Sequence, residues 1–317
     1  MSKKTRILIT GASGQLGENL IDYFSEHSDS EIIATDLNSP TYSSTFANES
    51  LDVLNHEVLR NLVQQYDVDQ VYHLAALLSA SGEQSPLKAW DINMQGLLYV
   101  LESAKEFKLR VFWPSSIAVF GETTPKHMTP QKVITEPSTA YGISKVAGEL
   151  WCNYYFNKFD VDVRSVRFPG LISWKGDPGG GTTDYAVEIF HEALQNKRYT
   201  CFLRDDAYLP MLYMDDAIAG IVQLMAAPKE QVKQRDSYNI SGMSFSPAEL
   251  AYEIKQHIPE FTINYAPDFR QQIAESWPAS IEDLDAQTDW GWKPRFDLKK
   301  MTATILSKLT EELEPTA

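Results

Sequence analysis

The chain has 317 residues, enough for two lobes at roughly 150 residues per domain, and its 43% hydrophobic and 22% charged content is that of an ordinary globular protein. A formal net charge of −15 repels nucleic acid and anionic lipid and argues against both as partners. Two widely separated cysteines, Cys152 and Cys201, offer neither a disulfide framework nor a cysteine-rich zinc site; they suit a reducing cytosol, so a cytoplasmic protein without a metal is expected.

Residues 1–6 lead straight into a strand at 7–10. No long apolar segment or cleavage site follows, so neither a signal peptide nor a membrane span is expected. Residues 15–25 have helical spacing, with Leu16, Leu20 and Phe24 on one face. Further strands are expected at 31–35, 70–74, 110–113 and 162–167. Unbroken apolar runs of this kind belong to parallel strands covered on both faces. Their alternation with helices predicts an α/β fold, a Rossmann-type doubly wound parallel sheet. Beyond Phe168 the pattern changes to a Gly/Pro-rich loop at 173–181, a helix at 185–195, a short strand at 212–214 and a helix at 217–227 capped by Asp215 or Asp216. The remainder, broken by Pro247, Pro259, Pro267, Pro278 and Pro294, reads as a smaller, discontinuous C-terminal substrate lobe.

The first strand closes on Gly11-Ala12-Ser13-Gly14-Gln15-Leu16-Gly17. Glycines at 11, 14 and 17 permit a tight turn and close approach of backbone to a pyrophosphate, and the helix opened by Gln15 and Leu16 adds free amides and a favourable dipole. Asp36, before Leu37, ends the second strand nineteen residues after Gly17. A carboxylate there accepts hydrogen bonds from ribose hydroxyls and repels a 2′-phosphate, so NAD is favoured over NADP. Residues 1–172 and 209–241 are accordingly expected to form the NAD-binding domain, and 173–208 and 242–317 the substrate lobe.

Tyr141 and Lys145 lie four apart, hence on one face of a helix starting near Ala140, and Ser116 lies twenty-five residues upstream of Tyr141. A tyrosine, with a reference pKa of about 10, needs a neighbouring ammonium to act as a base at neutral pH. The expected arrangement has Tyr141 taking an alcohol proton, Lys145 holding the phenolate and the nicotinamide ribose, and Ser116 orienting the alcohol while hydride leaves its carbon.

These segments, with His73-Leu74-Ala75-Ala76, Asn93, Val119-Phe120-Gly121, Arg167-Phe168-Pro169-Gly170 and Asp289-Trp290-Gly291-Trp292-Lys293-Pro294, resemble the extended short-chain dehydrogenase/reductases from residue 6 to about 298. The resemblance implies that Asp52 and Val53 lie near the adenine, that Leu74, Ala75 and Ala76 line the dinucleotide, and that Phe168, Pro169 and Leu171 sit near the nicotinamide. It implies that Asn93 holds a helix kink and a water of the proton relay. It also implies a homodimer through the helices at 93–107 and 141–157, where Leu97, Leu98 and Leu101 read equally as core.

Many members of this group act on nucleotide sugars and carry an arginine that grips the diphosphate where this chain has Leu209. Leucine cannot neutralise a phosphate. The segments 77–83, 113–118 and 179–186 instead resemble the short-chain branch of L-threonine 3-dehydrogenases, which implies oxidation of the threonine β-hydroxyl to 2-amino-3-oxobutanoate. Ser79, Ser81, Thr182, Thr183 and Asp184 are candidate contacts for the carboxylate and ammonium of that small zwitterion, although Thr183 and Asp184 read equally as the cap of the following helix. Trp277 reads either as a cover for the site or as packing. Segments 79–83 and 176–183 are candidate lids. A nucleotide-sugar epimerase or dehydratase and a non-enzymatic NAD sensor stay open as alternatives.

Overall fold

The computed structural model describes residues 4–42, 46–175 and 181–313, and the backbone alone at Ala80 and Ser81. In chain order the first elements are β1 (Arg6–Thr10), α1 (Gln15–His27), β2 (Glu31–Asp36), β3 (Ala47–Ser50), α2 (His56–Gln65), β4 (Gln70–His73), α3 (Ser79–Gln84), α4 (Pro86–Trp90), a π-helical turn (Asp91–Gln95), α5 (Gly96–Phe107), β5 (Arg110–Ser116), α6 (Ala140–Phe159) and β6 (Asp162–Phe168). There follow β7 (Gly170–Ile172), α7 (Tyr185–Gln195), β8 (Arg198–Cys201), β9 (Leu209–Tyr213), α8 (Met214–Ala226), β10 (Tyr238–Asn239), β11 (Met243–Phe245), α9 (Pro247–His257), β12 (Thr262–Tyr265), α10 (Arg270–Ser276), α11 (Leu284–Trp290) and α12 (Leu298–Leu313).

A seven-stranded sheet has the order β10-β6-β5-β4-β1-β2-β3, with β3–β2, β2–β1, β1–β4 and β4–β5 all parallel. This is the doubly wound order in which the chain reverses direction between β1 and β4, and ligands bind beyond the carboxyl ends of the strands at that point. Leu8, Val71, Val111 and Val163 on the strands pack with Leu59, Leu62, Leu97, Leu101 and Cys152 on the covering helices, all buried. Two parallel strands buried on both faces cannot show polar alternation, which is why their sequences read as continuous apolar runs.

The chain divides into two compact units, 1–119 with 137–167 and 218–238, and 120–136 with 168–217 and 239–317. These borders differ from the expected ones at 120–136, 168–172, 209–217 and 239–241. Residues 209–217 fall in the second unit because β9 pairs parallel with β7 and antiparallel with β11 in a separate three-stranded sheet. Residues 120–136 fall there because the Asn239 amide donates to Gln131 Oε1 (2.8 Å) and the Thr129 amide to the Ser280 carbonyl (3.0 Å). A sequence pattern that sees β9 as an apolar strand has no means of telling which sheet it joins.

In the second unit β8 pairs with β12. A capping box opens α9: Ser246 Oγ accepts from the Glu249 amide, the Glu249 carboxylate accepts from the Ser246 amide, and Pro247 occupies the first turn. Asp215 and Asp216 lie inside the first turn of α8 rather than before it. The buried Asp216 carboxylate accepts from the Arg295 and Phe296 amides (2.8 and 3.0 Å) and from Arg295 Nε (3.0 Å), which ties the segment before α12 to the start of α8.

Candidate active site

The glycine turn leaves β1 at the point where the sheet order reverses. Gly11 has φ +68°, and a Cβ built there falls 2.7 Å from the Ala75 amide nitrogen, so β1 and the segment after β4 approach only because residue 11 has no side chain. Gly17 likewise lets α1 close on the turn, since a Cβ there would lie 2.6 Å from the Gly11 carbonyl. Gly14 precedes α1 and no side chain caps the helix, so its first amides point outward as an anion-binding end. Asp36 Oδ2 accepts from the Ser13 amide (3.0 Å) and Oδ1 from the Leu37 amide (2.8 Å), which fixes the carboxylate beside the turn.

A cleft of about 240 Å³ runs from this turn past Asp36, Leu37, Asp52 and Val53 to Leu74, Ala75 and Ala76. Leu51, Leu77 and Ile92 complete its wall, and Tyr42 stands at the turn, its hydroxyl donating to the Ala12 carbonyl (2.7 Å). None of these four is expected from the motifs. Leu51 and Leu77 follow β3 and precede α3, and an apolar residue just outside an element carries no periodic signal. A larger cleft of about 650 Å³ opens at the amino-terminal ends of the same strands, near Asp69, Arg110 and Asp162. Three of its cations are already paired, Arg110 with Asp162, Lys229 with Asp160 and Lys105 with Glu102, so size does not mark it as the reactive site.

β5 delivers Ser116 and α6 delivers Tyr141 and Lys145. Thr139 caps α6, its Oγ1 accepting from the Gly142 amide (3.0 Å), and Glu83 Oε1 accepts from the Ala140 amide (2.7 Å). The segment 79–83 is therefore helical and pinned to the start of α6. An added Cβ on Gly82 would sit 3.9 Å from Tyr141 Cβ, which places α3 against the tyrosine. Ser116 acts on the Tyr141 hydroxyl and favours its ionised form. Lys145 Nζ donates to the Pro114 carbonyl (2.6 Å) and lies 4.6 Å from the Trp113 ring centroid and 5.4 Å from that of Tyr141. Asn93 occupies the π-helical turn before α5. Its Oδ1 accepts from the Leu77 amide (2.8 Å), and its Nδ2 donates to the Leu77 carbonyl (3.0 Å) and to Ser144 Oγ (3.4 Å). It thus binds the cleft wall to α6.

The electrostatics depart from the expected ionised phenol. Burial pushes the Tyr141 hydroxyl up to about 12, against the opposing influence of Ser116. Burial pushes Lys145 down to about 7, against the negative field of Glu149. The ammonium is turned to the Pro114 carbonyl, so the protein's own groups hold Tyr141 neutral at neutral pH. Below the site, His73 Nδ1 pairs with Thr10 Oγ1 (2.8 Å), and burial together with Lys145 pushes the imidazole down to about 3.

The remaining expected residues lie on the second unit, apart from Ser79 and Ser81. Ser79 opens α3, and the Ser81 side chain and most of the 176–183 segment lie outside the described residues. Phe168 ends β6, and Leu171 is on β7 directly after Pro169 and Gly170. Thr182 and Trp277 are buried, and Thr183 packs on Gly170. Asp184 stands at the N-cap of α7 without a capping bond; its Oδ2 accepts instead from the Gly181 amide (2.7 Å).

A turn that only glycine can form, an uncapped helix end, a ribose-height carboxylate and an adjoining cleft together fit a dinucleotide. Comparison with known proteins agrees. The model of the NAD dependent epimerase/dehydratase family matches residues 7–241. The holo form of a GalE-like L-threonine dehydrogenase from Cupriavidus necator is 51% identical with a TM-score of 0.93, over 96% of this chain and 99% of that one. A monomeric L-threonine 3-dehydrogenase of metagenomic origin is 46% identical with a TM-score of 0.92, over 97% of this chain and 100% of that one. An uncharacterized epimerase/dehydratase of Staphylococcus haemolyticus is 48% identical over 312 residues, 97% of this chain and 98% of its own. With a dinucleotide cleft at the sheet reversal and relatives matched along nearly their whole lengths, this chain belongs to the NAD dependent epimerase/dehydratase family.

Proposed function

We infer that the protein is an NAD-dependent L-threonine 3-dehydrogenase that oxidises the β-hydroxyl of L-threonine to 2-amino-3-oxobutanoate. The observation that carries the reading is the convergence of Ser116, Tyr141 and Lys145, with their helix α6 tied by Asn93 to Leu77 of the cleft wall, on a chain whose solved relatives are named for this reaction. Bound NAD supplies the hydride acceptor. Gly11, Gly14, Gln15, Leu16 and Gly17 would hold its pyrophosphate, Asp36 and Leu37 a ribose, Asp52 and Val53 the adenine, and Leu74, Ala75, Ala76 and Asn93 the wall beside it. Phe168, Pro169 and Leu171 are assigned to the nicotinamide end on the family resemblance.

Ser116 orients the substrate hydroxyl and Tyr141 removes its proton. Lys145 anchors the ribose and, when charged, favours the phenolate. Ser79, Ser81, Thr182, Thr183, Asp184 and Trp277 are the proposed contacts for the zwitterion and its cover. Among the described residues no group of three potential ligands could hold a metal, and the proton chemistry assigned here needs none.

No helix among the described residues is long and apolar enough to cross a membrane, and we place the protein in the cytoplasm. Ile143, Leu150, Trp151 and Tyr154 on α6 are exposed apolar residues and support a homodimer formed through this helix and α5. The monomeric relative makes light scattering the deciding measurement.

The test is purified protein with NAD and a panel of alcohols and amino acids. NADH should accumulate with L-threonine, and Tyr141→Phe should abolish turnover while NAD still binds. An epimerase or dehydratase, the reading suggested by the name of the curated relative, returns the hydride and accumulates no NADH. Buried Leu209 on β9 offers no cation for a nucleotide-sugar diphosphate. Undiminished turnover in Tyr141→Phe would refute the assignment of the base.

A further inference from the structure

Three consecutive residues of β5 meet α6 at three points. Ser116 acts on the Tyr141 hydroxyl, the Pro114 carbonyl accepts from Lys145 Nζ (2.6 Å), and Ser115 Oγ donates to Glu149 Oε1 (2.6 Å). Tyr141, Lys145 and Glu149 recur every four residues and share one helix face. From β6, Arg167 takes the same carboxylate from two sides, Nε to Oε1 (2.8 Å) and Nη2 to Oε2 (2.7 Å). Arg167 and Glu149 are each 4% exposed, as deeply buried as core residues. Removing two charges from water costs several kcal/mol per ion, and an apolar pair of equal volume often serves stability as well or better. An ion pair kept at that depth, one helical turn from Lys145, calls for a role other than packing.

We propose that Glu149, clamped by Arg167 and Ser115, is a positioning residue that holds Lys145 against the Pro114 carbonyl and keeps it charged. The proposal rests on the reading of Tyr141 and Lys145 as the proton-transfer pair.

Every neighbouring element bears on that charge. From α6 itself, Glu149 favours the ammonium, while burial keeps the Cys152 thiol protonated and uncharged. From β5 the Trp113 face lies 4.6 Å from Nζ. From β4, neutral His73 feels the lysine without adding charge. Asp236 acts on Cys152 and Arg167. Burial opposes all of them and leaves Lys145 at about 7, so the loss of one fixed anion changes its ionisation across the neutral range. A neutral lysine no longer favours the phenolate, so the rising limb of turnover should move to higher pH.

The direct test follows the ¹³Cε resonance of Lys145, assigned with Lys145→Met, through a pH titration of the full chain without NAD. The wild-type midpoint should lie near 7, and Glu149→Gln should lower it by about one unit. The paired variant Glu149→Gln with Arg167→Met leaves no lone buried charge and should lower it too. Ser115→Ala removes one bond to the carboxylate while sparing the ion pair, so it should shift the midpoint the same way by less, and it serves if the other variants do not fold. Glu149→Asp keeps the charge and should stay near wild type. In the NAD-linked assay the rising limb of kcat should move upward in the same order, with the KM for NAD changing less than about threefold. Unchanged Lys145 midpoints, or activity lost equally at every pH with only Tm lowered, would overturn the proposal. Failure of the underlying catalytic reading shows separately, as full turnover in Tyr141→Phe.

Discussion

Gly11 and Gly14 belong to one motif, yet the structure separates their tasks, and alanine at each should fail in a different way. On Gly11 a new Cβ falls 2.7 Å from the Ala75 nitrogen and 2.8 Å from Ala75 Cα, both backbone, at φ +68°. The left-handed conformation costs a β-carbon about 1–2 kcal/mol, and overpacking against atoms that cannot rotate away adds about 1–3 kcal/mol. Gly11→Ala should therefore destabilise by roughly 2–5 kcal/mol and lower Tm by roughly 5–15 °C. On Gly14 the only crowding is the Gly11 carbonyl at 3.3 Å, with φ at an ordinary −84°. Gly14→Ala should cost the fold less than about 1 kcal/mol but put a methyl where backbone must approach a pyrophosphate, raising the Kd for NAD by at least about tenfold. Thermal unfolding with and without NAD reads both quantities, because a saturating ligand adds about 2.7 kcal/mol at one hundred times Kd. Gly14→Ala should keep its Tm and lose most of the rise caused by NAD, whereas Gly11→Ala should start low. A wild-type Tm in Gly11→Ala, or an undiminished NAD effect in Gly14→Ala, would refute the division.

Asp36→Ala removes the acceptor of the Ser13 and Leu37 amides together with the charge that repels a 2′-phosphate; calorimetry should show a Kd for NAD raised by roughly tenfold and a narrower preference over NADP. Unchanged discrimination would count against a ribose contact. Tyr141 should stay protonated in the protein alone until near pH 12, so ultraviolet titration of wild type against Tyr141→Phe should show no difference below about pH 9. An earlier tyrosinate signal would mean that the protein alone ionises it. Burial opposes ionisation of Asp162, but Arg164 and Arg235 win and hold it down at about 2. Its folded pKa lies below its unfolded value, so the stability it contributes is complete above about pH 4 and lost as pH falls towards 2. Denaturant titrations should show roughly 2 kcal/mol disappearing across that window, and Asp162→Asn should flatten the slope there; an unchanged slope would refute the linkage.

The parts legible in the sequence are those whose physics is local. β1, α1 and the glycine turn could be read because a buried strand, an amphipathic stripe and a left-handed turn each leave a signature within a few residues. Tyr141 and Lys145 could be read because four residues make one helical turn. The residues that escaped depend on contacts distant along the chain. Tyr42 reaches the Ala12 carbonyl from thirty positions away, and Trp113 matters only because α6 lays Lys145 over its ring. β9 looked like one more strand of the main sheet because the pairing that takes it to β7 and β11 leaves no mark in its own five residues. The ionisation of the pair is nonlocal in the same sense. Spacing shows that Tyr141 and Lys145 can meet, but burial decides their charge, and it pushes the phenol up and the ammonium down, each towards its neutral form. A base poised at neutral pH therefore has to be completed by charges outside the motif. Glu149 on the same helix face is one such charge supplied by the chain, and the positive ring of bound NAD is the other that the proposed chemistry provides.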